Sequence, residues 1–147
     1  MAEKRGNRRR MRDIVFKSVF QYDFHKDADA AAGFLRKESG FHSFDEVTWQ
    51  RANKYLSGIL EHLEELDRVI SSHLINWTFD RLTAVDKNVL RLGTYELLYE
   101  LDIPIEVTLN EAIELAKKYG SVEDGKFVNG VLDRIAKQHT PPSKRGL

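Results

Sequence analysis

Four arginines in five positions, Arg8, Arg9, Arg10 and Arg12, carry the clearest chemistry in the chain. A guanidinium presents a planar fork of donors that suits a phosphate. Lys4 and Arg5 precede the run, and Glu3 is the single acid among the first twelve residues. The run enters a helical pattern, where each exposed cation in the first turn works against the helix dipole by about 0.3–1 kcal/mol. These residues are poor choices for stability and good choices for a polynucleotide backbone. Residues 1–7 are expected to be a flexible basic arm, frayed when free and ordered on RNA.

Other candidate chemistry is thin. Residues 120–127, Gly-Ser-Val-Glu-Asp-Gly-Lys-Phe, match the glycine and lysine spacing of a phosphate-binding loop. That loop needs a hydroxyl residue after the lysine and a strand before it, whereas Phe127 and a helical pattern occupy those places. Glu123 and Asp124 would also set carboxylates against the phosphate. The five histidines, His25, His42, His62, His73 and His139, are scattered without metal-ligand spacing. His62 with Glu61 and Glu65 reads as a solvated helix face. No nucleophile elbow and no acid pair in an apolar setting are present, so catalysis, metal and cofactor are not expected.

The residues that could act must be held by helices. Residues 8–24 repeat at helical spacing, with Met11, Ile14, Val15, Val19 and Tyr22 on one stripe and Phe16, Phe20 and Phe24 nearly opposite. One face serves a core, and the phenylalanine face needs a second helix or a partner. Residues 27–39 suggest a second helix stopped at Gly40. Ser43 with Glu46 forms a capping box for a long third segment, which breaks either near Ser57-Gly58 or between His62 and Glu65. Thr83 with Asp86 caps a strongly apolar helix, and Pro104 ends it, with residues 105–107 leading on in extended form.

A helical hairpin follows. Leu109, Ala112, Ile113, Ala116 and Tyr119 form one stripe, and Phe127, Val128, Val131, Leu132 and Ile135 form the next. Thr108 or Asn110 can cap the first helix, Gly120 can supply a left-handed end, and Ser121 with Asp124 opens the second. Asn129-Gly130 lies inside that second helix, where glycine costs about 1 kcal/mol against alanine. The expectation is that Gly130 admits a neighbouring helix and Asn129 satisfies a buried backbone group. Phe127 sits on the core stripe beside the basic Lys126.

Composition sets the bounds. A chain of 147 residues fits one domain able to bury roughly two thirds of its unfolded surface. Basic and acidic residues balance at 23 each, yet the start is basic, and after Asp133 the chain carries Arg134, Lys137, Lys144 and Arg145 with no acid. The lack of cysteine suits a reducing compartment, no run is long enough to span a membrane, and Lys17 interrupts any signal-like stretch. The expectation is a cytoplasmic all-α protein: a single compact domain over residues 1–140, about seven helices in two small bundles, and a flexible tail over residues 141–147.

At Asn110-Glu111-Ala112-Ile113-Glu114-Leu115-Ala116-Lys117 and Lys126-Phe127-Val128-Asn129-Gly130-Val131-Leu132-Asp133 the chain resembles the NusB family of bacterial transcription antitermination factors. The likeness extends to Arg8-Arg9-Arg10-Met11-Arg12, to Val85-Asp86-Lys87-Asn88-Val89-Leu90-Arg91 and to Tyr95-Glu96-Leu97. It implies a helical adaptor that pairs with ribosomal protein NusE, binds the boxA element of nascent ribosomal RNA as a single strand, and joins the RNA polymerase antitermination complex. By the same resemblance Arg8, Arg9, Arg10, Arg12, Lys126 and Phe127 meet RNA, while Phe20 and Asp86 meet NusE; Phe16, on the same helix face as Phe20, is expected at a partner contact as well. Two alternatives remain beside it: a helical protein-interaction module without RNA specificity, and a homodimer of the free chain through the phenylalanine face.

Overall fold

The arginine run opens the first helix, whose placement depends on the two helices it packs against. The computed structural model describes residues 7–145, which form eight α-helices and one short 3-10 turn, with no strand among the described residues. They are α1 (Asn7–His25), α2 (Ala28–Phe41), α3 (Glu46–Glu61), α4 (Leu63–Ser72), the 3-10 turn Phe79–Arg81, α5 (Ala84–Tyr99), α6 (Ile105–Tyr119), α7 (Val122–His139) and α8 (Pro142–Arg145). The chain divides into two units, Met1–Glu61 and His62–Leu147. The expected arm falls on residues 1–6, which lie outside the described residues, and Asn7 already belongs to α1.

In the first unit α1 packs on both α2 and α3. Its buried side is broad, taking in Met11, Ile14, Val15, Val19 and also Phe16 from the opposite stripe. Asp27 caps α2 through its side chain, which accepts from the Asp29 and Ala30 amides. The helix then runs through Gly40 to Phe41 rather than stopping at the glycine. The expected Ser43–Glu46 box is also displaced. Ser43 takes a positive φ of 54°, and Asp45 caps instead, its Oδ1 accepting from the Thr48 amide at 2.8 Å. Thr48, Ala52, Tyr55, Leu56 and Ile59 form the buried stripe of α3.

In the second unit α5 lies against α4, α6 and α7, and α6 and α7 form the expected hairpin. Thr83 caps α5, its Oγ1 accepting from the Asp86 amide at 3.1 Å. Eleven residues of α5 are buried, spread round its circumference as the sequence suggested. Arg91 is one of them. Its Nε and Nη2 each reach an Asp67 carboxylate oxygen at 2.8 Å, and Nη1 donates to Asn88 Oδ1 at 3.0 Å.

α6 starts four residues earlier than a Thr108 cap implies. Pro104, at φ −60°, precedes it, and Ile105 and Val107 are helical rather than extended. Thr108 is therefore not a cap; its hydroxyl donates to Glu96 Oε1 at 2.5 Å. Gly120 ends α6 at φ −128°, outside the left-handed region.

Two glycines mark close helix approaches, and Gly130 is not among them. A Cβ on Gly93 of α5 would stand 2.7 Å from Leu132 Cδ1, and one on Gly125 of α7 would stand 3.0 Å from Lys117 Cγ. At Gly130 an added Cβ would meet only Arg134 Nη1 at 3.6 Å, and Asn129 is exposed. The packing reading of that pair is thus corrected. Gly93→Ala is expected to cost about 1 kcal/mol or more through overpacking, because the fully buried Leu132 must shift its methyl groups to make room. In urea unfolding, Gly93→Ala with Leu132→Ala should then cost clearly less than the sum of the single changes.

The expected tail is partly built in. Lys144 of α8 is buried, and its Nζ donates to the carbonyls of Glu96 at 2.7 Å and Glu100 at 2.8 Å. At the end of α5 both carbonyls also accept from backbone amides, Glu96 from Glu100 and Glu100 from Ile103, each at 3.1 Å, so Lys144 adds a second donor to each. Burial lowers the Lys144 pKa, while Glu96, Glu100 and Asp102 pull it back up.

Candidate nucleic-acid interface

In the first unit, the start of α1 is fixed by Asn7, which is buried and whose Nδ2 donates to Thr48 Oγ1 of α3 at 3.4 Å. From that anchor the helix carries Arg9 and Arg10 exposed and Arg8 half-buried. No acid stands in the first turn. Arg12 differs from its neighbours: it is only 4 % exposed, one turn before the buried Phe16. The expected four-arginine contact is corrected to three, since Arg12 shares the phenylalanine face with Phe16, and that face is buried at this level of α1.

The phenylalanine face is graded. Phe16 is 2 % exposed and unavailable to a partner, Phe20 is half-buried with its ring 6.1 Å from that of Phe16, and Phe24 is 78 % exposed. Of this face only Phe20 and Phe24 can meet another chain.

In the second unit, α7 opens at Ser121, whose Oγ accepts from the Asp124 amide at 3.2 Å and donates to Asp124 Oδ2 at 2.8 Å. The resulting first turn presents Lys126 exposed and Phe127 half-buried, with Val128 beneath them in the core. Phe127 thus belongs to neither extreme: part of its ring supports the hairpin and part reaches solvent. The loop that resembled a phosphate cradle is the junction of α6 and α7, with Glu123 3.5 Å from Lys126 Nζ. His62, expected on a solvated face, is half-buried and stacks on Tyr99 at 4.3 Å, and Tyr99 also donates to Glu65.

Asp86 is buried, so its expected direct contact with a partner is corrected as well. Its Oδ1 has no hydrogen-bond partner. Burial raises its pKa from 3.8 to about 7, with a hydrogen bond to Asp124 and the Asp124 charge adding to the rise and the Thr83 hydrogen bond opposing it. Asp124 is the residue the sequence did not single out for this role. Its capping pattern with Ser121 was visible, but its pairing with a residue 38 positions earlier was not. The folded protein holds the Asp86 proton more tightly than the unfolded chain does. Its contribution to stability is therefore complete below about pH 4 and lost as the pH rises to about 7. Asp86→Asn, which never ionises, is expected to melt above the wild type at pH 8 and close to it at pH 4; the reverse order in thermal melts would contradict the assignment.

Among the described residues no cluster of histidine and carboxylates could hold a metal ion, and no helix is long and apolar enough to cross a membrane.

Comparison with known proteins accounts for this arrangement. The sequence profile of the NusB family matches residues 9–137. The transcription antitermination protein NusB of Fervidobacterium nodosum is 47 % identical, covering 97 % of this chain and 99 % of that one. A solved structure of NusB from T. maritima is 50 % identical with a TM-score of 0.87, covering 95 % of this chain and 97 % of that one. A crystal structure of antitermination factors NusB and NusE in complex with double-stranded RNA matches at 28 % identity and a TM-score of 0.82, over 92 % of this chain and all of that one. Because the family profile takes in both the arginine-led α1 and the α6–α7 hairpin, this chain belongs to the NusB family.

Proposed function

We propose that the protein is a cytoplasmic, non-enzymatic RNA-binding adaptor for transcription antitermination. With ribosomal protein NusE it binds boxA-like single-stranded RNA in nascent ribosomal transcripts and supports read-through by RNA polymerase. The observation that carries this is the set Arg8, Arg9 and Arg10 at the start of α1, with no acid in the first turn. That arrangement works against the helix's own dipole and gains when phosphates supply the negative charge. Lys126 and the half-buried Phe127 at the start of α7 add a cation and a partly open aromatic face, on which a base can stack for about 1–3 kcal/mol. The NusE contact is assigned to the open end of the phenylalanine face, Phe20 and Phe24.

The second reading, a protein-interaction module whose arginines only aid solubility, draws on Phe24, which is 78 % exposed. Pull-down with NusE, in the presence and absence of boxA-like RNA, separates the two. The adaptor captures RNA better with NusE than alone and prefers single strands over duplex. A complex with NusE that forms normally but retains no RNA would favour the second reading.

A further inference from the structure

The first unit contains an open cavity of about 280 Å³ between the end of α2 and the start of α3, lined by Arg36, Ser39, Gly40, Phe44, Glu46 and Trp49. This lies just under the size at which pockets for drug-sized ligands begin, about 300 Å³, and suits a single ring system. The lining is mixed in a specific way. Phe44 and Trp49 are half-buried aromatics, Arg36 is an exposed cation, and Glu46 is an exposed acid. The Ser39 hydroxyl is buried yet makes no hydrogen bond. Buried polar groups are normally partnered, so a ligand group is the natural complement.

The cavity lies in the same unit as the arginines and on the helix end to which they are tied. Asn7 is bonded to Thr48, the residue before Trp49, so the first turn of α1 sits beside the first turn of α3. A polynucleotide following Arg8, Arg9 and Arg10 therefore passes the neighbourhood of the cavity. Cations that hold the backbone together with aromatics that stack bases are the usual means of gripping single strands.

The geometry points to a nucleobase pocket at the α2–α3 junction, which receives one unpaired base of the RNA bound at the α1 arginines. The base stacks on Trp49 or Phe44, and Arg36 faces its phosphate or a ring carbonyl. One Glu46 oxygen already accepts from Gln50 Nε2 at 3.0 Å, and its carboxylate is placed to accept from an exocyclic amine. The base class is thus one that carries such an amine, guanine, cytosine or adenine before uracil. This inference rests on the RNA-binding reading above and adds a base site to its phosphate contacts.

Gly40 offers a clean test, because a Cβ there would meet nothing within 4 Å. Gly40→Leu places a side chain in the mouth of the cavity and also suits the helix better than glycine. The full chain is titrated by fluorescence anisotropy with a labelled 12-nucleotide single-stranded RNA of boxA-like sequence, alone and with NusE. Gly40→Leu and the exposed Arg36→Gln should each weaken RNA affinity, the former about fivefold or more, the size of one lost stack. The same RNA carrying an abasic site at each position in turn should bind the wild type less well at one position, and Gly40→Leu should be indifferent there. Unchanged affinity in both variants, while the arginine variants lose binding, overturns the pocket and leaves the RNA reading intact. Absence of RNA binding by the wild type overturns both. Loss of NusE binding with unchanged RNA affinity in Gly40→Leu assigns the cavity to the protein partner and also overturns the inference.

Discussion

Replacing Arg8, Arg9 and Arg10 together by alanine is expected to remove most RNA affinity while leaving the chain folded. The arginines stand in a first turn without acids, where each exposed cation works against the α1 dipole by about 0.3–1 kcal/mol. Each phosphate they neutralise contributes about −0.7 to the slope of log affinity against log salt for a single strand, so three give a slope near −2. Between 50 and 200 mM salt the three arginines should thus account for roughly a 15-fold loss in affinity, and the triple variant should keep only the small response due to Lys126. Arg12→Ala serves as the contrast. Arg12 is buried, so its loss should lower stability with little change in the salt slope. A triple variant that loses stability as well as binding would mean the arginines hold the fold.

The second large effect is expected at Arg91. This side chain is 4 % exposed and joins α4, α5 and the 3-10 turn: it forks onto Asp67, bonds Asn88 and lies 5.7 Å over the Phe79 ring. Arg91→Ala removes the buried partner of a part-buried pair and takes away its hydrogen bonds to Asp67 and Asn88, which costs about 3 kcal/mol. For a chain of this size that corresponds to a fall of about 10 °C in melting temperature. Lysine should not rescue it, because a point charge cannot make both bonds to Asp67 and the third to Asn88. The RNA salt slope of the surviving folded protein should match the wild type. A loss under about 1 kcal/mol in chemical unfolding would show the network to be neutral.

What the sequence made legible was local. Thr83 capping α5 and Ser121 capping α7 each reach an amide three residues on, so the pattern alone places them. Asp45 displaced Ser43 as the α3 cap because the turn gives Ser43 a positive φ, which depends on how α2 ends. Thr108 fitted a capping pattern, but Glu96, twelve residues earlier, takes its hydroxyl. Lys144 looked like tail charge because its partners, the Glu96 and Glu100 carbonyls, are more than forty residues away.

The candidate site shows the same division. Arg9 and Arg10 are exposed as their composition suggested, whereas Arg12 shares the run and is buried beside Phe16 on the second face of α1. A helix apolar on two faces does not disclose from spacing alone how far along the second face burial extends, and so Phe16 was assigned to a partner although it is buried. Asp86 was expected at a partner contact. It proves to be a buried carboxyl beside Asp124, a pairing across two helix starts that no single stretch of sequence contains.

The central claim is that an RNA strand completes the charge at the start of α1. Its most direct measurement is the salt dependence of affinity for a boxA-like single-stranded RNA, compared with a scrambled strand and with duplex, alone and with NusE. The account predicts a slope whose arginine part, near −2, is lost in the Arg8, Arg9, Arg10 triple variant, and a preference for the boxA-like strand that NusE strengthens. A slope unchanged by the triple variant, or equal affinity for all three RNAs in the presence of NusE, would contradict it.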